Sequence, residues 1–159
     1  MDTILNRAAG CSTVFLRLAL GFSFLSAVAD RFGFWGAYGQ PNVAWGDFAH
    51  FVDYTGKLNW FLPTTLFTAL ALASTMAEIL LGFALIMGLF TRIAALLSGV
   101  MLLIFSLAMT FALGIKAPLN LSVFSASAGA FLLAAYGKYP LSADAIRGTA
   151  QRPSLPRPK

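Results

Sequence analysis

One uninterrupted apolar stretch, Thr64–Phe90, constrains the fold of this chain more than any other feature. It reads TTLFTALALASTMAEILLGFALIMGLF and is longer than the roughly 20 apolar residues that a helix needs to cross a bilayer. Its only charged side chain is Glu78, near the middle. An ionisable side chain at the bilayer centre costs at least about 3 kcal/mol. Glu78 is therefore expected to face protein or a water-filled cavity.

The composition indicates that the bilayer is the main solvent of this chain. Of the 159 residues 58% are hydrophobic and only 11% charged, and the mean hydropathy is +0.78. A soluble domain would carry about twice that charged fraction. The net charge of +5 does not indicate nucleic acid, because five of the 11 Lys and Arg residues follow Tyr136, as in a basic cytoplasmic tail. The expected partner is lipid, and no nucleic acid is expected.

Cysteine and histidine are too scarce for most redox centres. With Cys11 and His50 alone, the chain cannot supply an internal disulfide, four-cysteine iron–sulfur ligation or two axial histidines. We expect no metal and no intrinsic cofactor. Asp47, His50 and Asp53 could hold a metal weakly, but one His and two carboxylates at this spacing are more often a solvated helix face.

The first apolar run predicts a membrane helix over about 12–31. An alternative is a secretory signal peptide that is cleaved after the A-x-A sequence ending at Ala29. Arg17 argues for the retained helix, because a charge inside the hydrophobic region weakens an export signal but can pair with another helix or reach the interface. Asp30 and Arg31 are then expected to form a charge pair at the outer end of this helix.

Glycines and prolines interrupt the apolar pattern between 32 and 63. Within this segment, residues 43–57 predict an amphipathic helix that lies in the interface. Its predicted apolar face carries Trp45, Phe48, Val52 and Thr55. Its predicted polar face carries Asp47, His50, Asp53 and Lys57.

Two further spans are predicted, over about 93–113 and 119–136, with Pro118 in the first turn of the last helix. The predicted fold is all-α: an integral membrane four-helix bundle with an extracytoplasmic amphipathic interfacial helix between helices 1 and 2. Residues 1–11 are assigned to a cytoplasmic lead, 12–137 to the transmembrane domain and 138–159 to a basic, Pro-rich cytoplasmic tail that is disordered at its end, RPSLPRPK.

Basic residues predict the orientation. An even number of spans places one group of seven on the same side: Arg7, Arg92, Lys138, Arg147, Arg152, Arg157 and Lys159. Three others, Arg31, Lys57 and Lys116, lie on the opposite side. The excess of positive charge predicts that both termini are cytoplasmic and that the protein lies in the bacterial inner membrane.

The polar residues predicted within the membrane suggest a binding site. As candidate cofactor-binding residues we take Arg17, Ser74, Glu78, Ser122 and Ser125, with Arg17 and Glu78 as the candidate catalytic pair. Arg17 could donate to the carbonyl oxygens of a bound quinone while Glu78 relays a proton. In the alternative interpretation, an Arg17–Glu78 contact between helices, or hydrogen bonds among these side chains, only holds the helices in register.

Several motifs in this order resemble the DoxX family. They are Arg17-Leu18-Ala19-Leu20-Gly21, Ala77-Glu78-Ile79-Leu80-Leu81-Gly82, Gly88-Leu89-Phe90-Thr91-Arg92 and Lys116-Ala117-Pro118-Leu119-Asn120. The likeness covers about 14–136. It implies a four-helix membrane protein related to the small subunits of thiosulfate:quinone oxidoreductase, and to members encoded beside oxidative-stress and aromatic-degradation enzymes. It also implies a distant likeness to four-helix quinone-linked proteins such as DsbB, whose paired cysteines are absent here.

Two classes of function follow. The chain could be the membrane subunit of a redox system, binding a quinone or another small apolar molecule while a partner redox subunit holds the electron-transfer cofactor. Alternatively, it could be a non-enzymatic accessory protein that binds lipid or a small molecule and stabilises a complex, with a homo-oligomer as a further expectation. A cofactor that co-purifies with a partner distinguishes the first class from the second.

Overall fold

The computed structural model describes residues 2–150, and this part of the chain is helical with no strand. Its helices are α1 (Asp2–Arg31), α2 (Phe48–Leu58), α3 (Phe67–Met87), α4 (Thr91–Leu113), α5 (Lys116–Asn120), α6 (Val123–Tyr136) and α7 (Ala143–Ala150). A 3₁₀ turn, Thr64–Leu66, leads into α3. The predicted all-α class is confirmed for the described residues. The predicted disordered end, 152–159, lies outside them.

Three of these helices are long and apolar enough to cross a membrane. The candidate spans are Arg7–Arg31, Thr64–Met87 and Thr91–Leu113. The second and third follow the sequence-based prediction to within a few residues. The first helix starts at Asp2 rather than near Ser12, so the expected lead is already helical.

The predicted fourth span is divided. Helix α5 ends at Asn120, and Ser122 then adopts a left-handed backbone conformation with φ of 54° before α6 begins. A non-glycine residue in this conformation interrupts a helix. Helix α6 has 14 residues and a length of only about 21 Å at the standard rise, less than a typical hydrocarbon core. A four-helix transmembrane bundle therefore stays a prediction.

The helices pack as two main pairs, α1 with α3 and α4 with α6. Small residues bring α4 and α6 together, since Ser127 Oγ donates a 2.8 Å hydrogen bond to the Gly99 carbonyl oxygen. A Cβ atom at Gly99 would lie 2.8 Å from the Phe131 ring. The shared core contains Leu20, Phe24, Leu85, Ala94, Ala95, Ala130, Leu133 and Ala134.

Large apolar side chains cover the outside of the long helices. Phe15, Phe22, Leu80, Ile104 and Phe111 each expose half or more of their surface. In water such a surface would be a strong aggregation liability, whereas in a bilayer it contacts acyl chains. The outward face of the bundle therefore has the character of a lipid-contacting surface.

Residues 139–146 pack across one end of the bundle. Helix α3 ends at Gly88, which is left-handed with φ of 68°. The Gly88 carbonyl oxygen accepts from the Asp144 amide at 3.1 Å. The Asp144 carboxylate accepts from the amides of Phe90 and Thr91 at 2.9 and 2.7 Å, where α4 begins. Asp144 thus satisfies free N–H groups at the start of α4, a role that a local capping side chain would otherwise play.

Candidate functional site

A close crossing of α1 and α3 brings the polar residues of the site together. Gly21 and Gly82 face each other where the helices meet, and a Cβ atom at Gly21 would lie 2.9 Å from the Gly82 carbonyl oxygen. Glycine removes the side chains that would separate two helices in a membrane. From this crossing α1 runs ten residues to its end at Arg31, beside the half of α3 that carries Thr75 and Glu78.

Arg31 and Glu78 form a buried two-point ion pair. Arg31 Nη2 donates a 2.9 Å hydrogen bond to Glu78 Oε1, and Arg31 Nη1 lies 2.7 Å from Glu78 Oε2. Arg31 Nη1 also donates to Thr75 Oγ1 at 2.8 Å. The Arg31 and Glu78 side chains are 2% and 3% exposed. Because each charge faces the opposite charge at hydrogen-bonding distance, the pair offsets much of the desolvation cost of both groups.

Aromatic rings cover the Arg31 guanidinium. Its Cζ atom lies 3.6 Å from the centroid of the Phe51 ring and 5.1 Å from that of Trp45. Phe51 is buried in α2, which begins at the Asp47 N-cap. A cation over an aromatic face gains about 0.5–2 kcal/mol, more when water is excluded. Helix α2 and the loop before it thus cover the ion pair at the C-terminal end of α1.

Asp30 holds this cover in place. Its carboxylate accepts hydrogen bonds from the backbone amides of Ala44, Trp45 and Gly46, at 2.8, 3.4 and 3.0 Å. The prediction that Asp30 and Arg31 form a charge pair with each other is wrong. The two neighbours point to different partners: Asp30 binds the loop that carries Trp45, while Arg31 reaches Glu78 on α3. Successive helix positions lie about 100° apart, which explains why the two side chains diverge.

Arg17 is not the partner of Glu78. Its guanidinium donates to the carbonyl oxygens of Leu141 and Pro140 at 2.6 and 3.5 Å, and it lies beside Gly88. Gly88 follows Glu78 by ten residues, or about 15 Å along a helix. The side chain is buried, at 3% exposure, under the segment after α6. Arg17 therefore binds the tail, and the Arg17–Glu78 contact considered from the sequence does not form.

The other predicted binding residues lie apart. Ser74 is half-buried on α3 and donates to the Ala71 carbonyl oxygen at 3.0 Å. Ser122 and Ser125 are exposed at the start of α6, and in the described part of the chain neither bonds to Arg17 or Glu78. The five candidate residues therefore do not line one quinone-sized site, and their role in binding a ligand stays a prediction.

The second polar cluster is a helix cap. Asp47 accepts from the His50 amide at 2.9 Å, and its other oxygen lies 2.8 Å from His50 Nδ1. These bonds from His50 hold the pKa of the Asp47 carboxyl below its usual value. The His50 ring stacks on Tyr38 with centroids 3.8 Å apart, and Asp53 is exposed. Within residues 2–150 no three His, Cys, Asp or Glu side chains converge on a metal position.

The amphipathic segment is shorter than predicted. Helix α2 covers Phe48–Leu58 instead of 43–57, because Asp47 caps its start. Thr55 is buried as expected, but the principal buried ring is Phe51, which sequence reasoning did not assign to the apolar face. Burial of Tyr54, whose ring lies beside that of Trp45, raises the pKa of its hydroxyl. The position of α2 in the membrane interface stays a prediction.

Sequence reasoning missed Arg31 as a functional residue. It stands at the end of the first apolar run, where a basic side chain usually reaches toward the headgroups. One feature of the sequence could have indicated this pairing: the expected depth of Arg31 in the membrane relative to that of Glu78. In antiparallel helices that cross at Gly21 and Gly82, the long side chain of Arg31 can turn back along α3 toward Glu78.

Arg31 and Glu78 line neither of two surface grooves of the described residues. One lies at the C-terminal end of α1 and includes Ser23, Ser26, Asp30 and Trp35. The other lies at the opposite end and includes Arg7 and Lys138.

Comparison with known proteins identifies the family but no individual relative. The model of the DoxX family matches residues 12–113, more than half of the chain. No curated protein and no solved structure matches the chain. The matched region contains α2, α3, α4 and all but the start of α1, and thus both partners of the buried ion pair. This chain is a membrane protein that belongs to the DoxX family.

Proposed function

We propose that this protein is a non-enzymatic accessory protein of the bacterial inner membrane, whose bundle binds lipid or another small apolar molecule and stabilises a complex. The closed Arg31–Glu78 pair carries this proposal. A carboxylate that relays protons must reach a substrate or water in at least one state. Glu78 is 2% exposed, is paired at both oxygens and lies under the ring layer of Phe51 and Trp45.

The proposal includes a fourth crossing, made by α6. Arg7, Arg92 and Lys138 then lie on the cytoplasmic side together with both termini. A 14-residue helix can cross where the bilayer thins around it or where flanking side chains extend to the headgroups. Helix α5 and the break at Ser122 are assigned to the outer interface.

Mass spectrometry of the gently purified protein tests the proposal. The wild type is compared with the double variant Arg31→Met/Glu78→Leu, in which two apolar side chains replace the ion pair. If the pair only holds the fold, the double variant retains the same lipids and the same co-purifying subunits as the wild type. Loss of one bound small molecule, with fold and partners intact, would show that the pair is a ligand site.

A second candidate function is a quinone-binding subunit of a redox system. One observation favours it: Glu78 Oε2 is buried and, although it lies 2.7 Å from Arg31 Nη1, accepts no well-aligned hydrogen bond within the described residues. A quinol hydroxyl is the kind of donor that such an oxygen would accept. This candidate predicts that a quinone analogue raises the unfolding temperature of the wild type but not of Glu78→Leu. Equal responses of the two proteins would leave the accessory function as the better account.

A further inference from the structure

We infer that the groove at the Arg7 end of the bundle binds the headgroup and upper acyl chain of an anionic phospholipid. The groove has a volume of about 920 Å³ and lies between the first half of α1 and the segment that follows α6. Its lining includes Arg7, Val14, Phe15, Leu18, Lys138 and Leu141. The inference deepens the proposed function by naming the class of lipid, and it does not depend on the role of Arg31 and Glu78.

The two cations of the groove lie where the apolar segments end. Arg7 is the first residue of the first candidate span, and Lys138 comes two residues after the end of α6. Both side chains are exposed, and neither forms an ion pair within the described part of the chain. This is the level at which lipid phosphates lie, and basic pockets between membrane helices recognise anionic headgroups there.

Below the cations, the groove is apolar. Val14, Phe15 and Leu18 follow Arg7 along α1, two to three turns deeper. Phe15 is 75% exposed, which leaves its ring free to contact an acyl chain. A soluble phosphate would use the cations alone. The combination of two cations above an apolar wall selects a phosphate that carries a hydrocarbon chain.

Among the described residues, no acidic side chain neutralises the groove from within. None of its lining residues is acidic. The nearby Asp144 carboxylate is directed to α4, where it accepts from the Phe90 amide and from the amide and hydroxyl of Thr91. Arg17 binds the backbone of Pro140 and Leu141 and so holds the second wall of the groove against α1. The site is therefore built before lipid arrives.

The test measures lipid affinity by native mass spectrometry of the full-length protein in a neutral detergent. The probes are phosphatidylglycerol, phosphatidylcholine and inorganic phosphate. Arg7→Gln/Lys138→Gln removes both cations of the groove, and Lys57→Gln/Lys116→Gln removes the same charge at the exposed, opposite end of the molecule. All four side chains are exposed, so we expect both double variants to fold. Their unfolding temperatures, measured in detergent without added lipid, check this.

We expect phosphatidylglycerol to bind the wild type and the Lys57/Lys116 variant equally well. The Arg7/Lys138 variant should bind it about 25-fold more weakly, about fivefold for each basic residue lost. Phosphatidylcholine and inorganic phosphate should bind all three proteins weakly. Three results would each overturn the inference. The Arg7/Lys138 variant could bind phosphatidylglycerol as tightly as the wild type, or both double variants could lose the same affinity for it. Inorganic phosphate could also bind as tightly as the lipid. None of these outcomes bears on whether Arg31 and Glu78 bind a ligand.

Discussion

Arg31 and Glu78 are 47 residues apart in the sequence and only 2.7 Å apart in the structure, measured between Nη1 and Oε2. Their pairing ties the C-terminal end of α1 to the middle of α3, below the rings of Phe51 and Trp45. A buried ion pair of this kind contributes little net stability compared with apolar side chains, but it tolerates the loss of neither partner. It therefore specifies how α1, α2 and α3 meet.

The close approach of α1 and α3 makes this pairing possible. We expect Gly21→Ala to destabilise the protein by about 1–3 kcal/mol, because the new methyl group would lie 2.7 Å from Ile86 Cγ1. Gly10→Ala is the matched control on the same helix, since its methyl group would meet Pro140 Cγ at an ordinary 3.4 Å. Thermal unfolding in detergent measures both. Equal stability of the two variants would show that the crossing is not tight at Gly21.

Arg17 is expected to hold the segment after α6 and not the centre of the bundle. In Arg17→Met, the amide of Asp144, which donates to the Gly88 carbonyl oxygen, should exchange with deuterium faster, while peptides from the middle of α3 and of α4 exchange as in the wild type. Arg92→Met is the control, because Arg92 is an exposed basic residue at the same end of the molecule. Unchanged exchange at 140–146 in Arg17→Met would refute the assignment.

The long apolar helices could be predicted from the sequence because length and hydropathy are local properties. The partner of Glu78 could not, because it depends on which residues face each other after α1 and α3 pack at Gly21 and Gly82. Arg17 lies within the first apolar run and therefore looked like the natural partner. Helix packing places it beside Gly88 instead, and it brings the terminal Arg31 to Glu78.

Other differences between prediction and structure also come from contacts distant in sequence. Asp144 lies in a segment that was assigned to a tail, yet it caps α4 more than 50 residues earlier in the chain. The break at Ser122 carries no proline or glycine, so nothing in the local pattern marked it. The part of the cover formed by Trp45 is held by the hydrogen bonds from the 44–46 amides to Asp30.

The start of α2 should respond to acid. The pKa of Asp47 is held below its usual value, chiefly by the His50 amide, so the ionised cap stabilises α2 fully above about pH 4–5, the range of an ordinary carboxyl. This stabilisation is lost as the pH falls through the lowered pKa. The His50 amide chemical shift, followed by NMR in detergent, should therefore titrate below about pH 4. The same shift in Asp47→Asn isolates the contribution of the carboxyl, and identical titrations in both proteins would contradict the capping role.

The fourth crossing predicts the locations of the termini. In a Cys11→Ser background, Asn42→Cys should react with an impermeant thiol reagent on intact cells, and Ser154→Cys should react only after lysis. With three crossings, only α3 and α4 would separate Asn42 from Ser154. Two crossings return the chain to the same side of the membrane, so both positions would lie on one side. Labelling of both positions from outside would therefore show that α6 does not cross.

The central claim, that Arg31 and Glu78 hold the fold by binding each other, is tested most directly by a double-mutant cycle of unfolding free energies in detergent. We expect Arg31→Met and Glu78→Leu each to lose about 3–5 kcal/mol, because each leaves one buried charge without its partner. The variant with both changes should recover to within about 1 kcal/mol of the wild type. Wild-type stability in both single variants, or a loss in the double variant equal to the sum of the single losses, would contradict the claim.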